Sequence, residues 1–230
     1  MVRNRLALFD IDGTLVKGFK GHSRAFSEGF RKVYGVDAVV DATSVQGMTE
    51  QQVIIEVLKQ HGLVEEEIKS KIEECMRVMI DYFKEIIATD EIILLDGVQE
   101  LLIELMDNDI LIGLVTGNLE PIGKGKLEKV NIDYYFKVGG FGNDDIDRAN
   151  LVRLAIKQAK EYYGFQFNNN VFLFGDAPQD MKAGKETGVK TIGVTTGVYS
   201  KQQLKDADAD LVLENLKDTE KILKIIRGLN

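Results

Sequence analysis

Two aspartates, Asp10 and Asp12, stand one residue apart directly after the apolar run Leu6–Phe9. A short apolar run of this kind is typical of a buried strand in a parallel sheet. Ligands of open α/β sheets bind at the carboxyl ends of the strands, so both carboxylates are expected where a ligand binds. Asp176 and Asp180 follow another apolar run. Four carboxylates at two strand ends predict a metal-dependent phosphoryl-transfer site.

The types of these side chains indicate which metal would bind. Carboxylate oxygens suit Mg²⁺, which keeps several waters and also binds phosphate oxygens of the substrate. The chain has only two histidines and one cysteine, far apart in sequence, so a zinc site is not expected. Cys75 lies in a helical pattern and is interpreted as a core residue rather than a nucleophile.

A third strand end supplies groups that could hold phosphate. Thr116, Gly117 and Asn118 follow an apolar run and precede a helical pattern. A hydroxyl and exposed backbone N–H groups ahead of a helix can bind phosphate oxygens. Alone such a triplet is usually a turn, but its position after a third strand favours a phosphate site.

Apolar runs alternate with helical patterns along most of the chain. The strand-like runs cover 6–9, 110–115, 136–138 (the weakest), 171–174, 191–194 and 210–213. The helical patterns between and after them cover 98–106, 121–130, 148–163, 178–187 and 217–227. This alternation predicts an α/β fold with a Rossmann-like parallel sheet and helices on both faces.

One region departs from that alternation. Helical periodicity covers 23–33, 49–61 and 65–87, and no strand is predicted between the first strand and residue 110. The sequence therefore predicts a catalytic core of residues 1–16 and 91–230, with residues 17–90 inserted as a helical cap domain. The crossings at 16–21 and 89–97 are expected to act as hinges.

Composition limits the partners and the location. The 230 residues carry a net charge of −8, which argues against nucleic acid or an anionic membrane as the main partner. No apolar run is long enough to span a bilayer, and no signal peptide precedes the first strand. A single cysteine fits a reducing compartment, so a cytoplasmic location is expected.

The stretches Asp10-Ile11-Asp12-Gly13-Thr14-Leu15 and Gly175-Asp176-Ala177-Pro178-Gln179-Asp180 carry a family resemblance. Together with Thr116, they make the chain resemble haloacid-dehalogenase-superfamily hydrolases with a helical cap after the first strand, similar to phosphoglycolate phosphatases. The resemblance implies a Mg²⁺-dependent phosphatase acting on a small phosphorylated metabolite, as a monomer or small homo-oligomer.

The resemblance also implies a role for each acid. Asp10 is expected to be the nucleophile that forms an aspartyl-phosphate, and Asp12 the general acid and then the general base. Asp10, the backbone carbonyl of Asp12 and the side chain of Asp176 would hold the metal. Asp180 would orient the metal's waters or a neighbouring residue without binding the metal itself. Alternatively, it would serve as a first-turn carboxylate facing the helix dipole.

The chain departs from the family at its third motif. A lysine is usual at the start of the helix before the fourth-motif strand, and here Arg148 takes that place. The alternative for Arg148 is a surface arginine paired with Asp144 or Asp147. Lys124 and Lys126 compete for the role, but a solvated helix face is the simpler expectation for both.

Specificity is expected to come from the cap. Lys17, Lys20, His22 and Arg24 cluster near the exit from the core and could meet the substrate, although a cluster of this kind is usually solvated. Relatives often carry a basic residue where this chain has Met48, which argues against a distal carboxylate or second phosphate. The prediction is a broad or small-substrate phosphatase.

Three alternatives to a phosphatase follow from the same fold. A phosphomutase is the first, and it would have to protect its aspartyl-phosphate from water. A dehalogenase is less expected, because it needs no metal and leaves Asp176 and Asp180 without a purpose. A non-catalytic binding protein ranks low, because every expected acid is present.

Overall fold

The computed structural model describes residues 4–18 and 20–228. Six parallel strands form the main sheet, in the order β5-β4-β1-β6-β7-β8. These strands are β1 (Leu6–Phe9), β4 (Leu111–Val115), β5 (Val138–Gly140), β6 (Val171–Gly175), β7 (Lys190–Val194) and β8 (Leu211–Leu213). The first strand lies in the middle of the sheet, so the predicted α/β fold with a Rossmann-like parallel sheet is confirmed.

Helices connect and flank these strands. They are α5 (Val98–Asp107), α6 (Glu120–Lys129), α7 (Arg148–Tyr163), α8 (Pro178–Thr187), α9 (Lys201–Asp206) and α10 (Thr219–Arg227). One apolar cluster packs under α5 and α10 and another under α7, so both faces of the sheet are covered. Helix α9 was not predicted from the sequence, and the weakest strand begins two residues later than predicted, at Val138, after a 3₁₀ turn at Asp133–Tyr135.

Residues 20–89, called the inserted segment below, are helical. They contain α1 (Lys20–Gly29), which continues into a π-helical turn at Phe30–Tyr34, then α2 (Ala42–Val45), α3 (Glu50–Gln60), α4 (Glu65–Ile86) and a 3₁₀ turn at Ile87–Thr89. The segment has its own apolar cluster, which also takes in Leu119 and Ile122 next to and within α6. The inserted segment therefore packs on the core beside the loop that follows β4.

Two short strands were not expected from the sequence. β2 (Val16–Lys17) pairs antiparallel with β3 (Ile93–Leu94), and the backbone N–H of Leu95 donates to the carbonyl of Leu15 at 2.9 Å. The expectation of no strand between residues 10 and 110 was therefore wrong, because two-residue strands are too short to show an alternating pattern. Both crossings into the inserted segment run through this ribbon.

No helix in the described part of the chain is both long enough and apolar enough to cross a bilayer.

Candidate active site

Sheet order brings the three predicted strand ends together. β1 lies between β4 and β6, with Phe9 in register with Leu114 on one side and Phe174 on the other. Because all three strands are parallel, the residues after them emerge at one edge of the sheet. The aspartates after β1, the threonine loop after β4 and the acidic loop after β6 therefore share one site.

Arg148 is the positively charged side chain that contacts the carboxylates of Asp10 and Asp180 in this site. It begins α7, and it is only 6% exposed. Its Nη2 donates to Oδ1 of Asp10 at 2.6 Å, and its Nε lies 2.8 Å from Oδ1 of Asp180. Its Nη1 donates to the carbonyl of Gly47 at 3.1 Å. One planar guanidinium thus connects the two acids with the inserted segment, as its fixed fork of donors permits.

The alternative of a surface pairing for Arg148 is wrong. Asp147 is the N-cap of α7 and accepts from the backbone N–H of Ala149 at 2.9 Å. Asp144 accepts from the backbone N–H of Phe141 at 2.9 Å. Both acids serve the backbone of their own loop, as short acidic side chains at helix starts commonly do.

Asp10, Asp176 and Asp180 form a compact group of carboxylates. All three are buried, and one oxygen from each lies within 4.8 Å of the others. Among the described residues, Oδ1 of Asp176 has no hydrogen-bond partner. A set of hard oxygen donors with an unsatisfied buried oxygen fits a divalent cation such as Mg²⁺.

The loops that lie against the Asp176 carboxylate contact it with glycine backbone rather than with side chains. A Cβ added to Gly13 would lie 2.4 Å from Oδ2 of Asp176, and Gly13 has a φ of +77°. A Cβ added to Gly197 would also collide with that carboxylate. Any side chain at either position would fill the space beside the acids, so both loops need glycine there.

The pKa values of the three acids move upward. Burial raises the pKa of Asp176 well above its usual range, and the neighbouring Asp10 and Asp180 raise it further. Burial likewise raises the pKa of Asp180 to about 7 and that of Asp10, although Arg148 opposes both shifts. The group holds more negative charge than one guanidinium balances, so a bound cation would stabilise it.

Asp180 also serves the helix that it begins. Its Oδ2 accepts from the backbone N–H of Ala177 at 3.1 Å, while Oδ1 faces Arg148. The two roles considered for Asp180, a helix-start carboxylate and an acid that orients its neighbours, are compatible in one side chain.

Asp12 faces away from the acidic group. Nζ of Lys126 donates to its Oδ1 at 2.8 Å and its Oδ2 at 2.6 Å, and Nδ2 of Asn118 donates to Oδ2 at 2.9 Å. Burial alone would raise the pKa of Asp12, but the Lys126 ammonium, with smaller help from the Asn118 hydrogen bond, lowers it overall. The two aspartates of the first motif therefore have different cations and opposite pKa shifts.

The expectation that Lys126 lies on a solvated helix face was wrong. Its side chain is fully buried, whereas Lys124, two residues earlier, is exposed and pairs with Glu120 at 2.7 Å. The sequence pattern failed here because the inserted segment covers α6 on the side where Lys126 lies. A helix that two layers enclose shows no clear polar and apolar sides.

His22 and Glu50 extend this cluster into the inserted segment. Nδ1 of His22 lies 3.0 Å from Nζ of Lys126, and its Nε2 lies 2.9 Å from Oε1 of Glu50. The same oxygen of Glu50 accepts from the backbone N–H of Leu119 at 2.8 Å. Below, the buried amine cluster means Asp12, Asn118, Lys126, His22 and Glu50.

The loop after β4 brings Thr116, Gly117 and Asn118 to the edge of the sheet where the aspartates lie. The Thr116 hydroxyl is fully buried and accepts from Nδ2 of Asn118 at 2.7 Å, so in this structure it orients Asn118. Gly117 and Asn118 line the cavity above the site. A Cβ on Gly117 would lie 2.1 Å from the carbonyl oxygen of Met48, so the two backbones are in close contact there.

A chamber of about 360 Å³ lies between the core and the inserted segment. Of the five cap-side residues considered, Lys17, His22 and Met48 line it, whereas Lys20 and Arg24 do not. Arg24 is exposed, with its guanidinium 5.7 Å from the centre of the Tyr82 ring. The lining residues are Asp10, Asp12, Gly13, Val16, Lys17, Gly18, His22, Phe26, Val45, Gln46, Gly47, Met48, Glu50, Val53, Gly117, Asn118, Arg148, Thr196, Gly197 and Val198.

Several residues near the acids were missed by sequence reasoning. Nε2 of Gln46, from the inserted segment, donates to Oδ2 of Asp176. Thr196, Gly197 and Val198 line the chamber after β7, and the Thr196 hydroxyl donates to the carbonyl of Gly13 at 2.5 Å. The strand-end rule would have found the loop after β7. Gln46 lies in the stretch 46–50, which resembles the cap specificity loop of the family, but its contact with Asp176 depends on tertiary packing.

Comparison with known proteins agrees with this geometry. Residues 7–194 match the haloacid dehalogenase-like hydrolase family. The chain is 24% identical over 214 residues to a phosphoglycolate phosphatase of Vibrio cholerae, covering 92% of this chain and 93% of the relative.

Solved structures share the fold. A hydrolase from Pseudomonas syringae superimposes with a TM-score of 0.73 at 20% identity, over 97% of this chain and 99% of the other. CbbY from Rhodobacter sphaeroides in complex with phosphate gives 0.72 at 22% identity, over 95% of this chain and 96% of the other.

Proposed function

The chain belongs to the haloacid dehalogenase-like hydrolase family, and from this premise we propose that this phosphatase uses Mg²⁺ to hydrolyse small phosphomonoesters through an aspartyl-phosphate. The observation that carries the proposal is the position of Asp10. Its buried carboxylate ends the central strand, Arg148 holds one of its oxygens, and Asp176 and Asp180 lie beside it. A carboxylate fixed in this way can act as a nucleophile.

In the first step a carboxylate oxygen of Asp10 attacks phosphorus, and the bond from phosphorus to the leaving alcohol breaks. Asp12, in its protonated form, gives its proton to the departing oxygen, and the proton that it takes in the second step restores this form for the next turnover. In the second step water attacks the phosphorus of the aspartyl-phosphate, Asp12 takes a proton from that water, and Asp10 is released as a carboxylate. Backbone N–H groups of the Gly117–Asn118 turn are available to phosphate oxygens, because both residues line the chamber.

Asp10, Asp176 and the backbone carbonyl of Asp12 would hold the Mg²⁺, with Asp180 supporting them. When bound, the cation supplies positive charge that offsets the repulsion between the phosphate and the Asp10 carboxylate. Arg148 supports the same approach from the protein, because it contributes one fixed positive charge between Asp10 and Asp180.

We assign residues 17–90 as a cap domain over the core of residues 1–16 and 91–230. Contacts between the inserted segment and the site support this division. Gly47 accepts from Arg148, and the backbone N–H of Glu50 donates to the carbonyl of Gly117 at 2.8 Å. A cap in this position excludes water from the first step and opens to release product.

The chamber favours a leaving group without a second anion. Part of its wall is apolar, formed by Phe26, Val45, Met48 and Val53. Glu50 adds a buried carboxylate. A carboxylate on the substrate would therefore meet an apolar wall and a like charge, which is unfavourable.

A panel of phosphomonoesters tests this preference. We expect kcat/KM for phosphoglycolate to lie within about tenfold of that for uncharged alkyl phosphates of similar size, or below it. An advantage of a hundredfold or more for phosphoglycolate would contradict the assigned preference while leaving the phosphatase proposal intact.

A phosphomutase of the same fold is the second candidate, but the chamber argues against it. A bisphosphate needs a second cationic subsite. Among the described lining residues, Arg148 is bonded to two acids, His22 lies between Lys126 and Glu50, and Lys17 is exposed. Activation of turnover by a sugar bisphosphate would favour the mutase.

Hydrolysis of p-nitrophenyl phosphate with added Mg²⁺ tests the main proposal. We expect EDTA to abolish turnover and Asp10→Asn to lower kcat at least about 10³-fold, because the nucleophile is lost. Asp96→Asn, at an exposed surface pair with Lys217, is the matched control and should keep full activity. Turnover that survives EDTA or Asp10→Asn would contradict the proposal.

The same assay separates the other classes. Release of halide from a 2-haloacid without added metal would indicate a dehalogenase. Tight phosphate binding without turnover would indicate a binding protein. A cytoplasmic location and a monomeric or small homo-oligomeric state remain part of the proposal, and cell fractionation and light scattering measure them directly.

A further inference from the structure

We propose that Lys126 is a positioning residue, which holds the Asp12 carboxylate in the direction needed to protonate the leaving group. This inference rests on the proposed phosphatase function, and it assigns a role to a buried lysine outside the four motifs.

The first observation is that three side chains accept the three protons of the Lys126 ammonium, and one of them, Asp12, presents both of its carboxylate oxygens. An ammonium carries three N–H bonds and accepts none. Nζ of Lys126 donates to the Asp12 carboxylate, to Oδ1 of Asn118 at 2.8 Å and toward Nδ1 of His22 at 3.0 Å. Three different groups therefore fix the ammonium, which cannot rotate away without breaking one of these contacts.

The second observation concerns Asp12 itself. Lys126 contacts both of its carboxylate oxygens, and Asn118 donates to one of them. These contacts fix the rotation of the carboxylate about its side-chain bonds, while 27% of the side chain stays exposed toward the chamber. A general acid works only within hydrogen-bond reach of the atom that it protonates, so this rotation matters for the chemistry.

The third observation is that the inserted segment completes the arrangement. Because Lys126 can only donate, Nδ1 of His22 must accept, and the ring proton lies on Nε2, which faces Oε1 of Glu50. His22 comes from α1 and Glu50 from α3, whereas Lys126 comes from the core. The third acceptor is therefore supplied by the inserted segment when it lies against α6.

The test uses the different needs of good and poor leaving groups. p-Nitrophenolate leaves without protonation, whereas a simple alkoxide needs an acid. kcat/KM includes only the steps up to release of the leaving group, so the ratio of kcat/KM for an alkyl phosphate to that for p-nitrophenyl phosphate reports the acid. The ratio does not depend on how much of a sample is folded, because both substrates are measured with the same sample.

We expect Lys126→Met to lower this ratio at least tenfold, in the same direction as Asp12→Asn. Lys124→Met on the same helix is the matched control and should leave the ratio unchanged, because Lys124 is exposed. An equal loss on both substrates, complete loss on both, or a higher ratio would show that Lys126 serves the fold alone and would overturn the inference. Failure of the phosphatase proposal is seen separately, as wild-type enzyme without Mg²⁺-dependent turnover.

Discussion

Asp10 and Asp12 are separated by one residue, yet each has its own buried cation. Asp10 contacts Arg148, which begins a core helix and also contacts Asp180. Asp12 contacts Lys126, which lies in the middle of α6 and reaches His22 in the inserted segment. Arg148 meets the inserted segment only at a backbone carbonyl, that of Gly47, whereas Lys126 meets it at a side chain, that of His22.

The chemistry of the two cations matches these different settings. A guanidinium presents a rigid fork and can bridge two carboxylates that the core keeps in place. An ammonium is a compact charge on a flexible stem, and its direction depends on the acceptors around it. Both carboxylates that orient Arg148 beside the proposed nucleophile belong to the core, and only its Nη1 reaches the inserted segment, at the carbonyl of Gly47. The cation beside the proposed acid instead has a side chain of the inserted segment, His22, among its acceptors.

The largest effect is expected from Arg148→Met, which leaves the buried Asp10 and Asp180 without their cation. We expect a loss of about 3–5 kcal/mol in the free energy of unfolding and at least about a 10³-fold fall in kcat. Urea denaturation and initial rates measure the two quantities.

Arg153→Met is the control for Arg148, because it lies on the same helix and forms an exposed pair with Glu186. It should change the free energy of unfolding by less than about 0.5 kcal/mol. A loss below about 1 kcal/mol for Arg148→Met would mean that the Asp10–Arg148 pair is no more important than a surface pair.

The next prediction concerns how the free energy of unfolding depends on pH. This dependence has opposite signs for the acids beside Arg148 and for Asp12 beside Lys126. Burial raises the pKa of Asp180 from 3.8 to about 7, so between these values the folded protein binds more protons than the unfolded chain. In EDTA the free energy of unfolding should therefore fall as pH rises from about 4 to 7, by about 2–4 kcal/mol, and then level off.

Asp12 contributes in the opposite direction, because Lys126 lowers its pKa in the folded protein. Its stabilisation is present above pH 3.8 and is lost as pH falls through the folded pKa. Thermal unfolding from pH 3 to 8, with and without Mg²⁺, measures the pH-dependent contributions of Asp180 and Asp12 to the free energy of unfolding. Stability that rises steadily toward pH 8 in EDTA would contradict the raised pKa of the acidic group.

The smallest effect is expected from His22→Phe. Phenylalanine keeps the stacking on Phe26, whose ring centre lies 5.0 Å from that of His22, but it removes the acceptor for Lys126. We expect a loss of about 1–2 kcal/mol in the free energy of unfolding. His61→Phe, at the exposed end of α3, should cost less than about 0.5 kcal/mol. If His22→Phe lowered the free energy of unfolding as much as Arg148→Met, the contrast between the Asp10–Arg148 pair and the Asp12–Lys126 pair would be lost.

The same contrast explains what could be predicted from the sequence. Asp10, Thr116 and Asp176 were found because each follows a buried strand, and parallel strands gather their ends at one edge. Arg148 was found because it begins a helix at a position that the family resemblance marks. These signals are local, so a single sequence contains them.

The contacts of Lys126, Gln46 and Glu50 were not predicted, because they depend on how the inserted segment packs against the core. Lys126 looks like any lysine on a charged helix until α1 and α4 cover it. The two-residue strands β2 and β3 were missed for a related reason, since each needs the other to be a strand at all. Long-range packing, rather than local propensity, decides these features.

The β2–β3 ribbon has one further consequence. Because Val16–Lys17 and Ile93–Leu94 are hydrogen-bonded neighbours, the chain leaves and re-enters the core at almost the same point. A segment of any length or shape whose two ends meet side by side could be exchanged there without altering the sheet or the acids at its edge. Substrate range can therefore diversify by replacement of a whole module, while the reaction itself stays unchanged.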